Sequence, residues 1–254
     1  MSGTKARLPE PDLARVAAMA EVDKRRHLRN LRSGPPSITY RPARRAMPDA
    51  LNIQAALPMI VAAPSKEVLL EQVRSASRNS DEADSNAEVI ELTYDFVREQ
   101  SISVEAYEFG ALRLSAQYGV TFWANAIFRK GDKLFVIIPD FRRGRGFNQA
   151  AVKFIISAAH ERISKMAKEF ADIEFAVLSF PARKDHPRTI RLEFISQSDL
   201  FSYEQLRGMT EEALSIWEEV CDERLAEQRK KAANDDDGLF GWASQQAGSG
   251  KPGG

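Results

Sequence analysis

The stretch from residue 120 to residue 166 constrains the fold of this chain more than any other part of the sequence. It is typical of a β-hairpin, with strands over residues 120–129 and 133–141, followed by a basic turn and a long amphipathic helix that begins near Asn148. The second strand contains the run Leu-Phe-Val-Ile-Ile, which is apolar at consecutive positions. That run predicts an interior strand covered on both faces.

Other elements can be placed around this hairpin. Two further strands are predicted over residues 174–180 and 189–194, and a last helix begins at Thr210. Capping residues and helical spacing predict helices before the hairpin, over residues 12–32, over 65–77, from Asn86, and from Ser103 to Gly119. The order of elements predicts an α+β fold: an antiparallel or mixed sheet of about four strands in a ββ-α-ββ-α core, with extra N-terminal helices and disordered tails.

The composition divides the chain of 254 residues into three parts. Residues 1–50 are predicted to form a basic helical arm and an extended Pro/Arg linker, and residues 51–231 a single α+β domain. Residues 232–254 are predicted to form a disordered acidic-aromatic tail. The domain begins with an apolar segment, residues 51–63, that we expect to lie on the core.

The formal net charge of zero hides an asymmetry between the two ends of the chain. Residues 1–50 contain 11 Lys and Arg against 5 Asp and Glu, whereas residues 201–254 contain 6 against 11. The ends therefore carry net charges of +6 and −5 around a nearly neutral middle. This layout indicates either two different partner surfaces or one intramolecular contact.

The second half of the predicted first helix is strongly basic. Its candidate phosphate-contacting residues are Lys24, Arg25, Arg26, Arg29 and Arg32. The alternative is structural, because cations near the C-terminus of a helix complement its dipole on a solvated face.

The turn after the hairpin is the second candidate anion-binding site. Its arginines are Arg142, Arg143 and Arg145, whose forked donors suit phosphate or carboxylate. Two glycines let the backbone approach a ligand, and the free amides of the following helix add positive potential. The alternative is a solvated connection whose glycines serve geometry alone.

The C-terminal tail has a third candidate site. Three aspartates precede Leu239, Phe240 and Trp242, and such a segment is typical of a short docking peptide in which acidic residues steer and apolar residues anchor. In the alternative, these side chains fold back onto the body of the protein.

No strong catalytic or metal-binding motif is present, so we predict no catalytic residues, no metal and no cofactor. The three histidines stand in no zinc motif, and the single cysteine, Cys221, excludes an intramolecular disulfide. Asp140 ends a buried strand, where some metal-dependent nucleases place an aspartate, but the acidic-x-Lys pair of such enzymes is missing from the next strand. The chain shows no signal peptide and no membrane-length apolar run, which indicates a cytoplasmic protein with no membrane partner.

Our first hypothesis is a non-enzymatic, nucleic-acid-associated adaptor or regulatory protein. Its basic arm would contact DNA or RNA phosphates, and its tail would recruit a protein partner. The alternatives are a protein–protein interaction module without nucleic acid, and a nuclease-like hydrolase that uses Asp140.

Overall fold

We analysed a computed structural model, which describes residues 7–31, 38–53, 64–116, 118–142, 146–182 and 186–245, with side chains to residue 230. The helices are α1 (Glu10–Ala17), α2 (Glu21–Asn30), α3 (Arg41–Ala50), α4 (Lys66–Ser75), α5 (Ser80–Glu99), α6 (Gln149–Ala159) and α7 (Tyr203–Gln245). A π-helical turn, His160–Ser164, extends α6, and a 3₁₀ turn spans Lys168–Phe170. The strands are β1 (Ser103–Ala106), β2 (Leu112–Arg113), β3 (Gly119–Val120), β4 (Ala126–Lys130), β5 (Lys133–Asp140), β6 (Glu174–Ser179) and β7 (Arg191–Ile195).

The main sheet has five strands in the order β1-β4-β5-β6-β7. The β5–β6 pair is parallel and the other pairs are antiparallel, while β2 and β3 form a separate two-stranded sheet. The predicted hairpin is confirmed: Lys130 pairs with Lys133, and Gly131 adopts a left-handed φ of 59° in the turn between them. The α+β fold with a mixed sheet is therefore confirmed.

β5 lies inside the sheet and is buried on both faces, as its apolar run predicts. Val136 and Ile138 belong to one hydrophobic cluster, with residues of α1, α2, α6 and α7. Phe135 and Ile137 belong to a second cluster, with residues of α3, α4 and α5. The sheet is thus covered by a helical layer on each side.

The N-terminal region differs from the single helix predicted over residues 12–32. It forms two helices, which are separated by residues 18–20, with Ala20 in an extended conformation. Leu13, Val16 and Leu28 are completely buried in the first cluster. Residues 7–31 therefore pack as part of the helical layer on the body of the protein.

Residues 41–50 were predicted to be an extended linker but form the helix α3. Pro42 stands in its first turn, where a missing backbone donor costs little. The helix has no cap from its own Tyr40; instead Asn86 of α5 accepts a hydrogen bond from the Ala43 N–H at 3.0 Å. A tertiary contact, invisible in the local sequence, thus stabilises this helix.

Two predicted caps were wrong. Asn86 lies inside α5, which begins earlier and is capped by Asn79, whose side chain accepts from the Glu82 N–H at 2.9 Å. Ser103 begins the strand β1 because it pairs with Arg129 of β4, so cross-strand pairing overrides the helical spacing.

The last helix is longer than predicted. It begins at Tyr203, after a capping box in which Ser202 and Gln205 exchange backbone–side-chain hydrogen bonds of 2.8 and 3.3 Å. Its backbone remains helical to Gln245, beyond residue 232 where we predict the tail to begin.

In the ranges that the structure describes, we find no helix with the length and apolarity that a membrane crossing requires.

Candidate functional site

The basic residues of α2 face the acidic residues of α7. The Lys24 ammonium lies 2.9 Å from the Glu212 carboxylate, and the lysine side chain is completely buried. The next residue, Arg25, donates a hydrogen bond to Glu219 at 2.7 Å. These two cations, predicted to contact phosphate, are thus paired within the protein.

Arg29 continues the contact between α2 and α7. Its guanidinium donates twice to Glu223, at 2.9 and 3.0 Å, in the forked geometry that arginine forms with carboxylates. Arg224 of α7 donates in return to the carbonyl groups of Leu28, Arg29 and Leu31 at the C-terminus of α2. Charge on α7 therefore satisfies both the side chains and the helix end of α2.

The other two residues of the predicted basic surface have different positions. Arg26 is exposed and lies 3.3 Å from Asp23 on its own helix. Arg32 falls outside the described residues. Of the two explanations for the opposite charges at the two ends of the sequence, the structure favours one intramolecular contact, because α2 and α7 neutralise each other.

The arginine turn is described only at its first residue, since Arg143 and Arg145 lie outside the described residues. Arg142 lies 3.7 Å from Asp12 of α1 and its guanidinium stands 5.3 Å from the ring centre of Phe147. Lys133, at the far end of β5, pairs with Glu174 at 3.0 Å. The described part thus offers one partly neutralised arginine at the predicted anion site.

Asp140 closes the base of this turn. Its carboxylate accepts hydrogen bonds from the N–H of Arg142 at 3.3 Å and of Phe147 at 3.0 Å. Burial raises the pKa of Asp140 to about 6, and the bond from Phe147, together with Arg15 and Arg44, opposes this rise. Each oxygen of the Asp140 carboxylate thus accepts a hydrogen bond from a backbone N–H. Within the described ranges, no group of three or more metal-ligating side chains is placed to hold a metal ion. The geometry is that of a structural aspartate.

A cavity of about 300 Å³ lies beside this aspartate, between α3 and residues 121–125. Sequence reasoning did not find it, because its walls come from segments distant in the chain. Its lining includes Trp123, whose indole N–H is buried without a hydrogen-bond partner among the described residues, and Arg44. The sequence around a tryptophan next to a strand does not indicate whether its side chain lines a cavity or packs in the core.

The predicted docking residues of the tail cannot be placed in a site. Leu239, Phe240 and Trp242 belong to the helical backbone of α7, and their side chains lie outside the described part of the chain. Their docking role stays a prediction.

Comparison with known proteins identifies relatives over most of the chain. The model of the family described as "Sliding clamp-binding bacterial toxin SocB" matches residues 11–227. The DNA replication inhibitor toxin SocB of Caulobacter vibrioides (strain NA1000 / CB15N) is 35% identical over 226 residues, which cover 89% of this chain and 94% of the relative. No solved structure matches the chain significantly.

These matches correct the first functional hypothesis. A nucleic-acid-associated adaptor is wrong, because the matching family is described by its binding to a protein and by its toxicity. The prediction of a protein partner is supported at that general level, whereas a DNA or RNA partner gains no support. The structure gives a physical reason for the error, because Lys24, Arg25 and Arg29 form ion pairs with carboxylates of α7.

Proposed function

This chain belongs to the SocB family of sliding clamp-binding bacterial toxins, and we propose that it binds a sliding clamp and thereby inhibits DNA replication. The observation that carries the proposal is the extent of the match, which runs from α1 to α7 and covers nearly the whole length of the relative. Inhibition of this kind requires an interface. A toxin bound to the surface that the clamp offers to its other partners would exclude them by competition.

A short apolar segment that docks into a groove of the clamp would supply such an interface. The chain has two candidates. The first is the tail segment with Leu239, Phe240 and Trp242, which combines acidic steering residues with aromatic anchors. It lies 12 residues beyond the end of the family match at residue 227, so the match lends it no support.

The second candidate is residues 54–63, between α3 and α4, which lie outside the described residues. The sequence alone led us to expect residues 51–63 on the core; Leu51 is buried there, and the rest of that expectation is untested. The sequence of residues 54–63, Gln-Ala-Ala-Leu-Pro-Met-Ile-Val-Ala-Ala, contains no charged residue. A connection between helices normally runs over the surface and is polar, so ten uncharged and mostly apolar residues need an explanation. This segment lies within the family match. We therefore favour it as the docking peptide, with Leu57 and Met59 as anchors.

The test of the function is primer extension by the C. vibrioides replicative polymerase with its sliding clamp. We expect the full chain to reduce clamp-dependent synthesis and to leave the slow synthesis without clamp unchanged. Excess clamp should restore synthesis, because it titrates the inhibitor. Equal inhibition with and without clamp, or no inhibition at all, would overturn the proposal.

The docking segments are separated by two variants of the full chain, one with alanine at Leu57 and Met59, the other with alanine at Leu239, Phe240 and Trp242. We expect the first variant to lose inhibition and the second to retain it. Val22→Ala is the matched control, since Val22 is an apolar residue with 71% of its surface exposed on α2. Loss of inhibition in the tail variant alone would transfer the docking role to the tail.

A further inference from the structure

The cavity beside Asp140 is lined by several separate parts of the fold. Met47 of α3 and Leu51, which follows this helix, form one wall. Phe122 and Trp123 form a second, and Phe141, which follows β5, belongs to a third. Its volume of about 300 Å³ is at the lower end of the range for small-molecule sites, and its lining is mostly apolar, as in such sites.

Two hydrogen-bond donors of this lining, one buried and one exposed, have no hydrogen-bond acceptor among the described residues. The indole N–H of Trp123 is buried, with 4% of the residue exposed, and has no partner among the described residues. Arg44 is exposed and its charge attracts the ionised carboxylate of Asp140, but it has neither a hydrogen bond nor an ion pair with any residue that the structure describes. Its guanidinium stands 5.2 Å from the ring centre of Phe141. A buried donor without an acceptor is costly, so an acceptor from outside the chain would stabilise the Trp123 N–H.

The acidic residue of the lining is already engaged. Glu10 accepts a hydrogen bond from the Thr121 N–H at 3.1 Å, and its other oxygen lies 3.9 Å from the Arg7 guanidinium. Besides Glu10, the polar residues of the lining are the uncharged Thr121, Trp123 and Asn125 and the cation Arg44, and the cation favours an anion with an apolar body.

We propose that this cavity binds a small apolar carboxylate, with its acid group on Arg44 and the Trp123 N–H and its hydrocarbon part among Met47, Leu51 and Phe122. The inference is independent of clamp binding. With about 30 Å³ for each water-sized group, the cavity holds about ten non-hydrogen atoms. Phenylacetate and octanoate have this size and chemistry, and they are the probes for the test.

The test is isothermal titration calorimetry of the full chain with phenylacetate and with octanoate. We expect saturable binding of at least one acid at one site, and at least about tenfold weaker binding of 2-phenylethanol, which lacks the charge. N-acetylphenylalanine presents the same groups as the end of a peptide but exceeds the cavity, so it should bind more weakly than phenylacetate. Tighter binding of N-acetylphenylalanine would overturn the assignment to a free small acid.

Three variants locate the site. Arg44→Gln should weaken binding of the acid about tenfold or more, whereas Arg45→Gln, the neighbouring exposed arginine outside the lining, should leave it unchanged. Trp123→Phe keeps the ring and removes the N–H, and should weaken binding about threefold to tenfold. Arg44 is exposed, so its variant is expected to fold, and near-ultraviolet circular dichroism checks this. Equal binding by the Arg44→Gln variant, or no binding at millimolar acid, would overturn the proposal.

Discussion

The ammonium group of Lys24 lies 2.9 Å from the carboxylate of Glu212, although the lysine side chain is completely buried and the glutamate is half exposed. The contact is an attraction between charges without the angles of a hydrogen bond. The aliphatic stem of Lys24 therefore packs between α2 and α7 while its charge is neutralised at the edge of the protein. Opposite charges at the two ends of the sequence thus join the N-terminal helices to the last helix.

We predict that Glu212→Gln destabilises the protein more than Lys24→Met does. The first substitution leaves a buried ammonium without a partner and should lower the free energy of unfolding by about 1–3 kcal/mol, given the exposure of Glu212. The second removes the charge and keeps an apolar side chain of similar length, and should cost less than about 1 kcal/mol. Urea unfolding measures both. Glu211→Gln, on the exposed side of α7, is the control, and equal losses in all three variants would contradict the prediction.

The ion pair of Arg29 and Glu223 predicts that the stability of the protein depends on the signs of these two charges and on the salt concentration. Glu223→Arg places two cations together and should lower the urea midpoint, and adding Arg29→Glu should restore much of the loss because it re-forms the pair in reverse. The difference between the single and the double variant should shrink in 1 M salt, which screens exposed charges. A difference that is unchanged by salt would indicate packing instead of electrostatics.

The raised pKa of Asp140 predicts a pH dependence of stability. Because this pKa rises from its ordinary value of 3.8 to about 6, the folded chain binds the proton more tightly than the unfolded chain does. Stability from this group is fully present below pH 4 and is lost as the pH rises to about 6. At about 1.4 kcal/mol for each pH unit, the loss amounts to about 3 kcal/mol.

The comparison with Asp140→Asn isolates this effect, since other groups, including Asp12 with its own pKa raised by burial, contribute to both proteins. We expect the stability of the wild type relative to the variant to fall between pH 4 and pH 7 in urea unfolding. Arg15 and Arg44 both attract the ionised carboxylate and limit the fall. A relative stability that rises with pH would show that the ionised form is favoured in the fold.

Asn86 caps α3 from another helix, and its loss should be costly. It accepts from the Ala43 N–H and donates to the carbonyl groups of Thr39 and Glu82 at 2.8 and 2.7 Å, while fully buried. We expect Asn86→Ala to lower the free energy of unfolding by about 2–4 kcal/mol, because buried groups lose their partners. Asn79→Ala, which removes the local cap of α5, should cost about 1 kcal/mol. Equal losses would contradict the tertiary role of Asn86.

The sequence predicted the elements whose signals are local. The apolar run of β5, the hairpin turn that precedes it and the start of α6 near Asn148 all appear as expected. The failures occur where a distant partner decides. Ser103 begins a strand because β4 is available to pair with it.

The site was less predictable than the fold. A run of cations such as Lys24 to Arg29 has the same sequence whether its partner is a phosphate or the carboxylates of α7, nearly 200 residues away. The opposite net charges of the two ends predicted either two partner surfaces or one intramolecular contact, and the structure favours the intramolecular contact. The cavity at Trp123 had no signal, because its walls meet only in the folded protein.

The measurement that tests the central claim most directly is isothermal titration calorimetry of the full chain with the purified sliding clamp of C. vibrioides. We predict saturable binding that survives physiological salt, that is lost with alanine at Leu57 and Met59, and that is unchanged by Val22→Ala. If the protein is folded under the same conditions and shows no binding at tens of micromolar clamp, that result would contradict the account.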